Sequence, residues 1–227
     1  MPDSPAASSK REDQAERAPS AARLPRSFFA RPTLEVAPDL LGLWLVHDLP
    51  EGRRAGRIVE VEAYCGTEDL ACHAAKGRTA RTEVMFGPAG HAYVYLIYGM
   101  HHCFNVVTDP DGVAGAVLVR ALEPGEGVET GTHGPGRLGR ALAIDRRHNG
   151  LDLTEESGGP LWLERRPGPP VAEVATSARI NVDYAGAWAA LPWRFYDATS
   201  RHVSVPPRRR PGRLAGTAPG VLPGPGS

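Results

Sequence analysis

The sequence predicts an α+β fold: a single domain built on a curved antiparallel or mixed β-sheet with surrounding helices and a protruding β-hairpin. Three observations carry that prediction. Four β-branched runs with period-two alternation, centred on Val61, Val94, Val106 and Val119, follow one another with mostly short connections. A helical period comes later, over Arg137–Ile144, and no internal repeat divides the chain. At 227 residues there is room for one substantial core plus tails.

Taken in order, residues 1–26 are rich in Ala, Ser, Pro and mixed charge with no apolar period, and read as a disordered tail. The domain proper is expected over residues 27–205. Pro38–Leu41 suggests a short helix and Leu43–His47 a strand. Arg57–Tyr64 is the next strand, with Val59, Val61 and Ala63 on one face and Glu60, Glu62 and Tyr64 on the other. One face is core; the other is acidic and aromatic. His91–Tyr98 alternates again, breaks at Gly99 and is followed by Cys103–Val107, which predicts a β-hairpin with Tyr98 at its tip. A large aromatic at a turn is hard to bury, so Tyr98 looks less like packing than like a tool for insertion. Val117–Val119 forms a strand that Arg120 closes, and Leu161–Glu164 and Trp193–Tyr196 read as late strands. Residues 206–227 read as a second disordered tail, basic through Arg208–Arg210 and Arg213, with no acid after Asp197.

Composition sets bounds on function. The 26 basic and 26 acidic side chains cancel, with a pI near 7.1, which is not the overall basic footprint of a nucleic-acid binder. A local basic face can still steer binding while acids elsewhere cancel the total. No apolar run reaches membrane-spanning length and the amino terminus lacks a signal peptide's apolar region, so a soluble, cytoplasmic protein is expected. Cys65, Cys72 and Cys103 form no even-numbered disulfide framework and read as small buried hydrophobes.

Six ordered blocks, Glu60–Tyr64, Ala71–Ala74, Met85–Gly87, Tyr93–Met100, Cys103–Asn105 and Val117–Glu123, closely resemble the alkyladenine (3-methyladenine) DNA glycosylase family, bacterial members above all. The similarity continues through Gly134–Leu138, Leu161–Glu164, Arg179–Ile180, Asp183–Gly186, Trp188 and Pro192–Tyr196, and spans roughly Leu34 to Ser204. The resemblance implies a hydrolase that excises alkylated or deaminated purines from duplex DNA as a monomer, with no cofactor, and so starts base excision repair.

That reaction needs a carboxylate to activate water against an oxocarbenium-like sugar. On strand geometry alone Glu60 and Glu62 are equal claimants; the resemblance selects Glu62 and places Arg120 beside it and the water. It also implies that Tyr98 fills the gap left by a flipped nucleotide, that Tyr64, His73 and Tyr95, with Tyr93 nearby, form the base pocket, and that Asn105 restricts its floor against the guanine exocyclic amine. Lysine scarcity adds an independent argument. Glycosylases that also cut the strand use an amine, and Lys10, Lys76 and the amino terminus are the only ones present, so a monofunctional enzyme is expected.

Two motifs point elsewhere. Gly134–Gly139 fits G-x-G-x-x-G, but it follows no clear strand, so a dinucleotide site is not expected; the reading is a loop opening the Arg137 helix, whose amides, with Arg137 and Arg140, would take a DNA phosphate. Cys72-His73 and His101-His102-Cys103 group metal-ligating types without a C-x-x-C pair, and no metal is expected. Departures from the family pattern are Ala80 for a common Pro, Asn181 for Gly and Ala187 for an acid. Asn tolerates left-handed backbone, so the second change is expected to spare the fold.

Overall fold

A computed structural model describes residues 22–129 and 131–205. The expectations for residues 1–21 and 206–227 lie outside the described residues. The fold starts a few residues before the boundary expected at 27: β1 (Ala22–Arg23) pairs with the late strand β7 (Leu161–Arg165), and Leu24 is buried.

The chain then runs through α1 (Arg26–Phe29), α2 (Thr33–Asp39), β2 (Trp44–Leu49), β3 (Gly52–Cys65), β4 (Ala92–Ile97), β5 (His101–Val107), β6 (Gly115–Pro124) and α3 (Pro135–Ala141). After β7 come β8 (Val174–Ser177) and β9 (Arg194–Asp197). These form one curled sheet in the order β1-β7-β2-β3-β6-β5-β4, with β9 also joining β3 and β8 flanking β9. Every named pairing is antiparallel, which resolves the antiparallel-or-mixed expectation. On one face Ile58, Val61, Val94, Phe104, Val106, Val117 and Val119 pack with Leu138 and Leu142, which anchor α3 to the core.

Several boundaries differ from the sequence reading. The short helix expected over Pro38–Leu41 is α2, which begins at Thr33, ends at Asp39 and holds Pro38 in its last turn, because a ring at the C-terminal end disturbs few further bonds. The helix expected at Arg137 starts at Pro135, a first-turn position that suits its fixed φ, and its cap falls at Leu142. The strand expected over Arg57–Tyr64 extends to Gly52–Cys65, because β2, β6 and β9 supply partners along its length.

The largest correction concerns Arg120. It does not close a strand; it lies inside the ten-residue β6. Ile58 pairs with Leu122, Glu60 with Ala121 and Val61 with Val119, so Val59 on β3 and Arg120 on β6 are the extra residues of two adjacent bulges. A bulge re-aims a side chain without ending the ladder, and single-strand periodicity does not reveal it.

The G-x-G-x-x-G stretch serves packing. A Cβ on Gly136 would lie 2.8 Å from the His101 side chain, and one on Gly139 2.6 Å from the His102 carbonyl oxygen, so both glycines let α3 press against β5. Of the amides at this helix start, Arg137 and Leu138 N–H both donate to Gly134 O at 3.0 Å and Pro135 has none, which leaves the Gly136 N–H without a backbone acceptor among the described residues.

Candidate active site

On the acidic and aromatic face of β3, Glu60 and Glu62 are fully buried and Tyr64 is half-buried. Register sets out a row of side chains across four strands: Glu62 opposite Leu118, Leu118 opposite Asn105, and Asn105 opposite Tyr93. Tyr64 opposite Ala116 and Tyr95 opposite Cys103 extend the same face. Over this face lies a cavity of about 490 Å³ walled by Tyr64, His73, Tyr93, Tyr95, Asn105 and Arg120, with Tyr98 and Arg137 at its lining. Eight sequence-derived candidates therefore converge, and two do not line the cavity. Glu62 sits behind Tyr64 and Arg120, and Arg140 is exposed on α3 away from it.

Glu60 and Glu62, both fully buried, are no longer equivalent. Glu60 accepts four bonds: on Oε1 from Arg120 Nε at 2.9 Å, Arg194 Nε at 2.7 Å and Ser204 Oγ at 2.8 Å, and on Oε2 from the Ser204 amide at 2.5 Å. Burial alone would raise its pKa, but Arg194 and Arg120 outweigh burial and hold it below the ordinary value. Glu62 accepts three bonds: Ile180 N–H to Oε1 at 2.7 Å, and Tyr64 O–H at 2.9 Å and Arg120 Nη1 at 3.2 Å to Oε2. A carboxylate offers about four lone-pair sites, so one on Oε1 is left. Burial, with Glu62 beside it, raises the Tyr64 phenol well above its ordinary value, which keeps it a donor. Arg120 spans both carboxylates, and their attraction overcomes its own desolvation.

His73 occupies a short 3-10 turn, His73–Lys76, and meets Tyr95 edge-on with ring centroids 4.6 Å apart. Arg81 Nη2 donates to His73 Nε2 at 3.3 Å, and because arginine has no acceptor, Nδ1 is assigned the ring proton and donates to Tyr93 Oη at 2.9 Å. Burial, helped by Arg81 and Lys76, pushes the His73 pKa down to about 4. Asn105 spends Nδ2 on the Tyr93 and Cys103 carbonyls, at 2.9 and 3.5 Å, leaving Oδ1 without a partner among the described residues. Tyr98 is 79% exposed with φ +52°, followed by Gly99 at φ +69°. A bulky residue in that region is strained, and strain of this kind collects at functional sites.

The sequence reading missed the loop that holds Glu62 from the far side. Arg179, buried, clamps Asp69 with bonds of 2.5 and 2.8 Å and donates to Ala63 O at 2.9 Å. Asn181 follows at φ +59°, the left-handed backbone that Asn was expected to tolerate. These two residues fix the Ile180 amide on Glu62. They lie between strands, so no periodicity marks them. Tyr184, exposed and bonded to Ala71 O at 3.3 Å, was also missed at the cavity edge. Among the described residues no three His, Cys, Asp or Glu side chains cluster as metal ligands, and alternation puts His101 and His102 on opposite faces of β5. Burial pushes the Cys72 thiol up to about 12.

The family model described as methylpurine-DNA glycosylase matches residues 27–201. This chain belongs to that family. Among curated relatives, a protein of Myxococcus xanthus (strain DK1622) is 61% identical over 193 residues, 82% of this chain and 97% of the relative. One of Methanocella arvoryzae is 53% identical over 204 residues, covering 84% and 98%. One of Legionella pneumophila (strain Lens) is 49% identical over 182 residues, covering 80% and 98%. All three carry the name "Putative 3-methyladenine DNA glycosylase". The methylpurine-DNA glycosylase match spans every strand of the described sheet except β1, and with them the residues that wall the aromatic cavity.

Proposed function

We propose that this protein is a monofunctional DNA glycosylase. It flips an alkylated or deaminated purine, of the 3-methyladenine, hypoxanthine or ethenoadenine class, out of duplex DNA and hydrolyses its N-glycosidic bond, initiating base excision repair. Family membership and the relatives' names support the reaction class. The observation that carries the reading is Glu62, oriented by three donors behind an aromatic-walled cavity with one acceptor site to spare.

In this reading Tyr98 enters the stack at the hairpin tip, where unstacking costs a few kcal/mol per step, and holds the space of the departed base. The flipped purine stacks among Tyr64, His73, Tyr93 and Tyr95, each stacking contact worth roughly 1–3 kcal/mol. Asn105 stands on the pocket floor against the guanine 2-amino group. Glu62 takes a proton from water as it attacks the anomeric carbon, and its negative charge with Arg120 orders the site around the oxocarbenium-like sugar. The bond from sugar to base breaks, and the base leaves with the bonding pair. Arg137 and Arg140 contact phosphates. Lys76 is exposed and does not line the cavity, which supports the absence of strand-cutting lyase chemistry. The protein acts as a monomer, in the bacterial cytoplasm on the nucleoid. No helix among the described residues is long and apolar enough to cross a membrane.

The test is incubation with duplexes carrying one hypoxanthine or one ethenoadenine, and with methylated DNA. Free base should appear while the strand stays whole until alkali cleaves the abasic site. Binding without base release would overturn the reading in favour of a silent lesion binder.

A further inference from the structure

β4 is a free edge of the sheet, and its outward N–H groups have different fates. Ala92 donates to Leu151 O at 2.8 Å and Val94 to Asn149 Oδ1 at 2.9 Å. Leu96, next on that side, has no acceptor among the described residues. Beside it lies a second groove of about 320 Å³, lined by Arg81, Leu96, Arg146 and Asn149. Tyr93, Tyr95 and Arg81 wall this groove and the active-site cavity alike.

The donor inventory of the groove is one-sided. Arg81 and Arg146 form no salt bridge among the described residues, although eleven other arginines do. Asn149 has spent Oδ1 on Val94, so its Nδ2 donors are unused among the described residues. No acid lines the groove. Two guanidinium groups, an amide NH₂ and a backbone N–H converge with no carboxylate to answer them, which is the chemistry of a phosphate site.

Position selects the source of the phosphate. Leu96 lies near the end of β4, two residues before Tyr98 in the turn, so their Cα atoms are at most about 7 Å apart, the reach of two residues. A duplex engaged by Tyr98 therefore brings its backbone past this groove. We propose that the groove binds a phosphodiester flanking the flipped nucleotide, with Arg146 as its dedicated cation and Arg81 shared with His73. This rests on the glycosylase reading above. It adds a footing on the β4 edge to the one expected at Arg137 and Arg140.

The full-length protein is titrated against a labelled ethenoadenine duplex by anisotropy, between about 50 and about 200 mM salt. Arg146→Ala should reduce the slope of log K against log salt by about 1, with the same loss on undamaged duplex, and Arg146→Lys should restore most of it. A neutral methylphosphonate is then walked along the lesion strand. At one flanking position it should weaken wild-type binding and leave Arg146→Ala indifferent. A wild-type slope for Arg146→Ala, or independent effects of variant and methylphosphonate at every position, would overturn the assignment. So would inorganic phosphate or a nucleoside monophosphate that depends on Arg146 while duplex binding does not. If wild type releases a base but these couplings are missing, the groove alone is misassigned; if wild type releases no base from any lesion, the glycosylase reading falls with it.

Discussion

Glu60 and Glu62 stand two residues apart on one strand face, yet their hydrogen-bond surroundings differ. Glu60 is enclosed by Arg120, Arg194 and Ser204, and removing one member of a buried ion network leaves the others uncompensated. Glu60→Ala should therefore cost about 3–5 kcal/mol of stability, read by chemical denaturation. Glu62→Gln should retain the fold and lesion binding while slowing excision by about 10²–10⁴, the range of general base catalysis. His73 makes a separate prediction. Its folded pKa, about 4, lies below the ordinary histidine value, so between those two pH values the unfolded chain binds the extra proton. Stability should thus fall as pH drops from about 6.5 toward 4. His47, buried and lowered mainly by desolvation, acts in the same direction. Thermal melts across that window should show the fall, and His73→Gln should flatten part of it. A slope unchanged by the substitution would show that His73 takes up its proton as readily folded as unfolded.

Elements position these residues, and here the sequence is legible in part. Period-two alternation shows the strands and the side each residue faces, whereas the choice of Tyr64, Tyr93, Tyr95 and Asn105 as pocket residues came from family resemblance. Alternation does not show pairing, so the paired bulges at Val59 and Arg120, which bring one guanidinium onto two carboxylates, were invisible and Arg120 read as a strand end. The same holds for the Arg179–Asn181 loop, whose meaning lies in an amide 118 positions away from its acceptor. The choice between Glu60 and Glu62 came from family resemblance, because strand geometry alone leaves them equal claimants. Two element-level outcomes follow. Tyr98→Ala should leave stability within about 0.5 kcal/mol, since the side chain is exposed, while lowering the fluorescence gain of an unstacked ethenoadenine. Gly139→Ala should cost about 1–3 kcal/mol and slow excision, because its Cβ meets a backbone oxygen that cannot step aside and α3 must lift from β5.

At the scale of the whole molecule, zero net charge and a DNA substrate are compatible because the charges are sorted. Most acids of the sheet are matched to arginines, whereas Arg81, Arg137, Arg140 and Arg146 carry no acidic partner among the described residues. A sum over the sequence hides that sorting; folding reveals it. Under the proposed function a chain of residues 22–205, which holds the whole family match, should still release base in the same assay. Loss of Arg208–Arg210 and Arg213 should lower affinity in low salt and little at high salt. The central claim is that one carboxylate, Glu62, runs the chemistry. Its most direct test is single-turnover release of ethenoadenine from duplex DNA by wild type and Glu62→Gln, with lesion binding and thermal stability measured alongside. The expected result is full binding and an intact fold for both and base release at the full rate by wild type alone. Release by Glu62→Gln at the wild-type rate would contradict the account.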